Sequence, residues 1–279
     1  MTGLRVPRGE RARTVVAVAV TAVYLLPVYW MLNTSFKAQA DVFARPPALV
    51  PAPPTLAAYR DAVFSDPDIA RGLTNTAIIA TGTTLLTLLV AVPAAYALAR
   101  LRIRFVTPAL LLFLVVQMIP SVNLALPMFV LFGRAGLVNT YLGLIVANCS
   151  LAVPLAITIL RPYFLSVPGE VLEAARVDGC STFGAFARVA LPVSGPGVIT
   201  VAVVSFLGAW GEFVFGLALA TSDEIQPVTV VIAKLTNAFG TRWNELMAVS
   251  AVVAVPVIVL FVLLQRYIVA GLTDGATKG

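Results

Sequence analysis

Between Arg134 and Arg161 the chain reads AGLVNTYLGLIVANCSLAVPLAITIL, residues 135–160, 26 consecutive residues without a charge. A helix needs about 20 mostly apolar residues to cross a bilayer core, so this stretch is long enough to span one. Working outward, charges bracket five further apolar runs, at 14–36, 72–99, 105–133, 197–220 and 246–265, and only the run at 197–220 contains a charge, Glu212. The whole 279-residue chain is 59% hydrophobic and 11% charged, with a mean hydropathy of +0.95. A soluble domain carries charge on about a quarter of its residues, so this chain lacks the polar surface to cover itself in water. The pattern predicts an all-α integral membrane protein with six transmembrane helices over 14–268, a short N-terminal segment at 1–13 and a tail at 269–279. The first run follows Arg5, Arg8, Arg11 and Arg13 as in a signal peptide, but it exceeds an h-region of about 7–15 residues and is read as a retained helix.

The few charges set the orientation. Of 19 Lys and Arg residues, Lys37, Arg45, Arg60, Arg71, Arg134, Lys234 and Arg242 fall in one alternating set of connections, and the larger remainder falls in the other together with both termini. By the positive-inside rule both termini are predicted cytoplasmic in a cell membrane, with external loops at 37–71 and 221–245 and a cytoplasmic loop at 161–192. The chain has no His, which removes His-based acid–base catalysis and every His-dependent metal site. Cys149 lies in an apolar run and Cys180 in a polar one, so neither belongs to a ligand-spaced cluster. The net charge of +6 has no extended basic face of the kind nucleic acid needs, and nucleic acid is not expected as a partner.

Proline shapes what lies between the charges. Pro46, Pro47, Pro51, Pro53 and Pro54 predict an extended external segment, with a short helix over 55–64. Pro27, Pro93, Pro120, Pro127, Pro154 and Pro256 fall within spans, where each removes one backbone bond. Ordinary packing of irregular helices and a part in gating both account for them.

The loop after the opening stretch, SVPGEVLEAARVDGCSTFGAFARVALP at 166–192, has its own logic. Pro168 and Glu170 suit the first turn of a helix, and Gly179 suits a left-handed cap after Asp178. Ser181 caps a second short helix that places Phe183, Phe186 and Val189 on one side, and Pro192 stops it. Ala174 and Ala175 would leave one face small enough for another backbone to approach, and Glu173 offers a carboxylate to an Arg or a helix N-terminus. A helix lying on lipid headgroups would carry a polar face rich in Lys and Arg. This one has a single Arg and three acids, which favours a protein partner over the membrane surface.

Glu173-Ala174-Ala175, then Gly179, then Val189 and Leu191-Pro192 resemble the EAA loop of binding-protein-dependent ABC importer permeases, with Val189 where the family usually has Ile. Ile119-Pro120, Ala209-Trp210-Gly211-Glu212-Phe213 and Gln265-Arg266-Tyr267-Ile268-Val269-Ala270-Gly271-Leu272-Thr273 are similar to the carbohydrate subgroup, and in particular to the smaller permease of the maltose-type pair. The family commonly has Asn before the Glu of the fifth span; Gly211 stands there, so a side-chain amide is absent. The resemblance implies that Glu173, Ala174, Ala175, Asp178, Gly179, Leu191 and Pro192 couple the chain to a separate dimeric cytoplasmic ATPase. It also implies a second permease subunit as heterodimeric partner, an extracytoplasmic solute-binding protein approaching the external loops, and a carbohydrate as cargo. The tail at 270–279 would contact the ATPase.

Glu212, Trp210, Gln117 and Asn123 are candidates for the translocation path. Glu212 either faces a cavity or sits near the external interface bonded to backbone or water. Asn75, Asn148, Phe206, Tyr141 and Trp243 offer polar groups or ring faces that packing and interface belts also explain. No Gly-x-x-x-x-Gly-Lys-Ser/Thr sequence occurs, so no cofactor is expected on this chain, and ATP with Mg would sit on the partner ATPase. A non-catalytic pore subunit fits these features. An ion-coupled secondary carrier, the alternative, should show inverted repeats and several ionisable midplane residues.

Overall fold

The computed structural model describes residues 8–101, 104–237 and 240–276. Of the charges used for orientation, Arg5, Arg102 and Lys278 lie outside the described residues, as does the end of the tail at 277–279. The chain divides into two compact units, one running through Pro67 and including Lys234–Ala254, the other Asp68–Ala233 with the chain from Val255 onward.

The first unit contains α1 (Arg8–Ser35), a 3-10 turn (Gln39–Asp41), a π-type turn (Tyr59–Phe64), the short antiparallel pair β1 (Thr236–Asn237) and β2 (Gly240–Thr241), and the start of α12 (Trp243–Ala276). The Pro-rich segment, expected as an extended spacer, is tied down. Proline leaves a segment with carbonyls to satisfy and few N–H groups of its own. Donors from α1 and the turn after it reach those carbonyls: Lys37 Nζ donates to Ala48 O at 2.6 Å, Asn33 Nδ2 to Leu49 O at 2.8 Å, and the Tyr29 hydroxyl also to Leu49 O. Lys37 is buried and its ammonium stands 5.0 Å from the Trp30 ring centre. Ser35 Oγ and Tyr59 OH lie 2.8 Å apart, which fixes the π-type turn on the same helix end.

The second unit holds α2 (Pro67–Arg100), α3 (Val106–Gln117), α4 (Ser121–Arg134), α5 (Tyr141–Ser166), α6 (Gly169–Val177), α7 (Thr182–Ala185), a π-type turn (Phe186–Ala190), α8 (Leu191–Val193), α9 (Gly195–Trp210), α10 (Val214–Leu219) and α11 (Val228–Lys234). One apolar core joins Ala95 of α2, Leu160 and Phe164 of α5, Leu172 of α6, Phe186 of the second π-type turn and Val201 of α9. A second joins Ile79, Leu144, Ala147, Phe215 and Leu219.

Four helices among the described residues are long and apolar enough to cross a membrane, at Arg13–Ser35, Pro67–Arg100, Tyr141–Ser166 and Trp243–Gln265. Two bent pairs bring the number up to six if each pair makes one span. The run at 105–133, expected as one helix, is α3 and α4 meeting at 98°, and Pro120 stands at the break. Proline brings no N–H with which to continue the ladder, and the residue before it is pushed out of helical geometry. The run at 197–220 also breaks: α9 has 16 residues and ends at Gly211, and the chain resumes as α10. At 1.5 Å per residue α9 is about 24 Å long, less than a bilayer core.

The start of α5 shows how closely this unit is fitted. The Thr140 hydroxyl accepts the Gly143 N–H at 3.0 Å and donates to Leu137 O at 2.8 Å. A Cβ on Gly143 would overlap that Leu137 carbonyl oxygen and come within 3.2 Å of Thr140 Oγ1. Gly143→Ala is therefore expected to cost about 1–3 kcal/mol. A melting curve of the purified protein in detergent should show it, with Gly133→Ala, where a Cβ meets nothing within 4 Å, as the unaffected control.

Candidate functional site

The loop at 166–192 folds into a helical hairpin. Pro168 takes the N-cap position of α6, one residue ahead of the first turn where its fixed φ was expected, and Glu170 lies in that turn. The C-terminal end closes through Asp178 N–H to Ala174 O at 2.9 Å, Gly179 N–H to Arg176 O at 3.0 Å and Cys180 N–H to Ala175 O at 2.9 Å. Gly179 has φ +89, a left-handed conformation that a Cβ disfavours. Ser181 Oγ then accepts the Gly184 N–H at 3.1 Å and starts α7.

One expectation about faces needs correcting and a second needs refining. Ala174 and Ala175 do not share an open face: Ala175 turns inward with Leu172 against the core, while Ala174 is exposed beside Glu173 and Asp178. Consecutive helical residues point about 100° apart, so only one of the two can look outward. The expected apolar side of Phe183, Phe186 and Val189 holds for the two rings, whose centres lie 5.9 Å apart, but its members differ in depth. Phe186 is buried and Val189 packs beside it, whereas Phe183 is 74% exposed. Val177, 88% exposed, joins Phe183 as an outward apolar side chain. Sequence reasoning passed over Val177 because it reads as one more apolar residue. Leu191 is half-buried and Pro192 exposed where the hairpin turns into α9, with 75° between the two helical stretches.

Tyr96 of α2 anchors the hairpin from above. Its ring centre is 4.8 Å from that of Phe186 and 5.5 Å from that of Phe164 in an edge-on contact. The outward side chains of α6 and α7 therefore stand on a packed apolar base.

A cavity of about 160 Å³ opens among α2, α5 and α9. Its walls are mainly apolar, and Thr83, Asn148, Ser205 and Glu212 bring polar groups to it. The positions explain themselves on helix periodicity: 148, 151, 152, 155 and 159 form one face of α5, and 201, 204, 205 and 208 form one face of α9. Gly208 lines it, and a Cβ there would meet nothing within 4 Å. Thr83 is fully buried and its hydroxyl has no partner.

Glu212 stands at the α9–α10 break and both earlier readings of it apply in part. Its carboxylate accepts the N–H of Phe215 at 2.8 Å and of Gly216 at 3.0 Å, capping α10, while the residue also borders the cavity. The Thr229 hydroxyl donates to its carbonyl at 2.7 Å and ties α11 to the same break. Trp210, Gln117 and Asn123 do not line this cavity. Trp210 is buried and stacked on Phe206 with ring centres 5.4 Å apart, Gln117 donates to Phe113 O at 3.1 Å within α3, and Asn123 is exposed on α4. Asn148 was one of several neutral polar groups the sequence offered, and Ser205 was not singled out, because single small polar residues in apolar helices usually bond their own backbone.

The profile of the family described as binding-protein-dependent transport system inner membrane component matches residues 88–274, which include the hairpin and the cavity's α5 and α9 walls. The chain is 35% identical over 271 residues to the sulfoquinovosyl glycerol transport system permease protein SmoH of Agrobacterium fabrum, covering 97% of this chain and 95% of that protein. It is 35% identical to the trehalose/maltose transport system permease protein MalG of Thermococcus litoralis, covering 94% and 95%. Among solved structures, a bacterial ABC transporter involved in the import of the acidic polysaccharide alginate shares the fold at a TM-score of 0.78, with 20% identity and 94% of this chain and 98% of that chain covered. With a profile matched across most of its length and relatives aligned nearly end to end, the chain belongs to the family of binding-protein-dependent transport system inner membrane components.

Proposed function

We propose that this permease is one half of the translocation path of an ATP-driven importer for a carbohydrate, working beside a second permease subunit. A solute-binding protein delivers the sugar outside, and a dimeric cytoplasmic ATPase, carrying the ATP and Mg, drives the cycle. Both termini are then cytoplasmic. The observation that carries this reading is the hairpin of α6 and α7. Glu173, Ala174 and Asp178 face outward with the apolar side chains of Val177 and Phe183, on a base held by Leu172, Ala175 and Phe186. An exposed element with a carboxylate and two apolar knobs, rigidly seated, suits the cleft of a protein partner. Leu191 and Pro192 return the chain from the hairpin to α9, so movement of the hairpin reaches a wall of the cavity. The sugar class rests on relatives whose names specify sulfoquinovosyl glycerol and trehalose or maltose.

In this reading the sugar passes the cavity bounded by α5 and α9. Glu212 serves there chiefly by holding the α9–α10 break in shape, Trp210 stiffens α9 from behind, and Gln117 and Asn123 belong to the bent pair α3 and α4.

Co-expression with the ATPase, second permease and binding protein expected from neighbouring genes should yield one complex in mild detergent, and its proteoliposomes should take up labelled trehalose, maltose or sulfoquinovosyl glycerol. Recovery of the chain alone under those conditions would overturn the assignment. Glu173→Ala removes the outward carboxylate, and Gly179→Ala forces a Cβ into φ +89 at about 1–2 kcal/mol. Each should lower uptake about tenfold or more while the chain stays inserted, read as uptake against membrane content by blotting. Gly208→Leu, at a position where a Cβ meets nothing within 4 Å, should occupy the cavity and abolish uptake while complex assembly stays intact; unchanged uptake would place the path elsewhere.

A further inference from the structure

Arg100 is the last residue of α2, and among the described residues its guanidinium makes no ion pair with a carboxylate. Nε donates to Phe164 O at 2.9 Å, and Nη2 donates to Leu165 O at 3.4 Å and to Val167 O. These carbonyls belong to the end of α5 and to Val167, the residue joining α5 to α6. Arg161 of α5 answers in the other direction, with Nε donating to Leu98 O in the last turn of α2 at 3.2 Å. The final carbonyls of any helix lack intrahelical partners and carry the negative end of its dipole. Here two such ends lie side by side, and each receives an arginine from the other helix. Tyr96, one turn back on α2, meets Phe164 at the end of α5 and Phe186 in the returning half of the hairpin. The foot of α2 therefore holds the entry to the hairpin by hydrogen bonds and its exit by ring contact.

Stability alone would be served by bonds anywhere along the two helices. These fall on the last carbonyls of the two helices and on Val167, the joint at which α6 would otherwise pivot free of α5. About 25 Å further up α2 stands Thr83, buried in the wall of the cavity.

We propose that Arg100 and Arg161 are positioning residues that lock the foot of α2 to the α5–α6 joint, so that a displacement of the hairpin is delivered along α2 to the cavity wall. The proposal rests on the reading of the hairpin as the ATPase-coupling element. Lysine does not replace Arg100, because a compact ammonium lacks the planar fork that spans its carbonyls, and at Arg161 it lacks the Nε–H that reaches Leu98 O.

The test uses the co-expressed complex in inside-out membrane vesicles, in a Cys180→Ser background, with a membrane-impermeant maleimide as probe. A Val177→Cys thiol reports docking of the hairpin, and an Ala97→Cys thiol reports the foot of α2. The ATPase should protect the thiol at 177, and ATP with orthovanadate should change the labelling rate at 97. Adding Arg100→Lys or Arg161→Lys should shrink that ATP-dependent change about tenfold, as expected for the loss of charge-assisted bonds, with protection at 177 retained. Protection at 177 also certifies that a variant has assembled, and Arg161→Lys, which gives up a single bond, serves where Arg100→Lys does not assemble. A response at 97 that persists within about twofold in an assembled lysine variant, or is absent from the parent, overturns the lock and leaves the coupling reading standing. An unprotected thiol at 177 in the parent overturns the coupling reading itself.

Discussion

In hydrocarbon a backbone amide or carbonyl without a partner costs several kcal/mol, and three of the interruptions described in this chain are met by side chains that supply missing bonds. At the α9–α10 break the Glu212 carboxylate takes two N–H groups of the new helix. At the α5–α6 joint Arg100 takes three carbonyls. After α10, Asn75 Nδ2 donates to Glu224 O and Gln226 O, both at 2.9 Å, and Thr76 Oγ1 accepts the Val228 N–H at 2.8 Å. Charged and amide residues thus sit where the helices stop, and the irregular backbone that a transport path needs is held in place by the same few side chains.

The segment from Ala220 to Val228 shows what this constraint does to a loop. As a stretch of the predicted external connection it had no motif of its own, yet Gln226 and Val228 are buried. Tyr141 OH donates to Asn75 Oδ1 at 2.7 Å, and Asn139 and Ser222 exchange bonds at 3.0 and 2.9 Å. The starts of α2 and α5 together grip the return from α10. Gly216 leaves the room this needs, since a Cβ there would stand 2.5 Å from Pro227 Cγ. The rigid end of the unit around Asn75 and the hairpin end around Arg100 lie on one continuous helix, α2, which is therefore well placed to relate events at one end to the other.

Much of the helical layout was legible because apolar length and charge brackets are direct consequences of the bilayer. The hairpin was legible too, since Gly179, Ser181 and Glu170 are local signals for a left-handed cap, an N-cap and a first turn. The faces were not. Ala174 and Ala175 looked equivalent until packing turned Ala175 inward, and nothing in the sequence said that of the touching rings of Phe183 and Phe186 only the second would be buried against Tyr96 and Phe164. Glu212 carried the clearest sequence signal in the interior, and bonding to backbone was one of its two readings, but that it would cap a new helix, α10, could not be foreseen while 197–220 read as one uninterrupted helix.

The amino-acid sequence by itself determined that the chain is a helical membrane protein, where its apolar runs lie, and that the loop at 166–192 folds as a helical hairpin, because hydropathy, capping and glycine conformation act over a few neighbouring residues. Tertiary structure alone decided that two of the runs are broken, that Thr83, Asn148, Ser205 and Glu212 meet at one cavity, and that Arg100 and Arg161 clasp the ends of each other's helices. Those outcomes depend on which unsatisfied backbone groups come within reach of which side chains, and that is settled only when helices far apart in the sequence pack together.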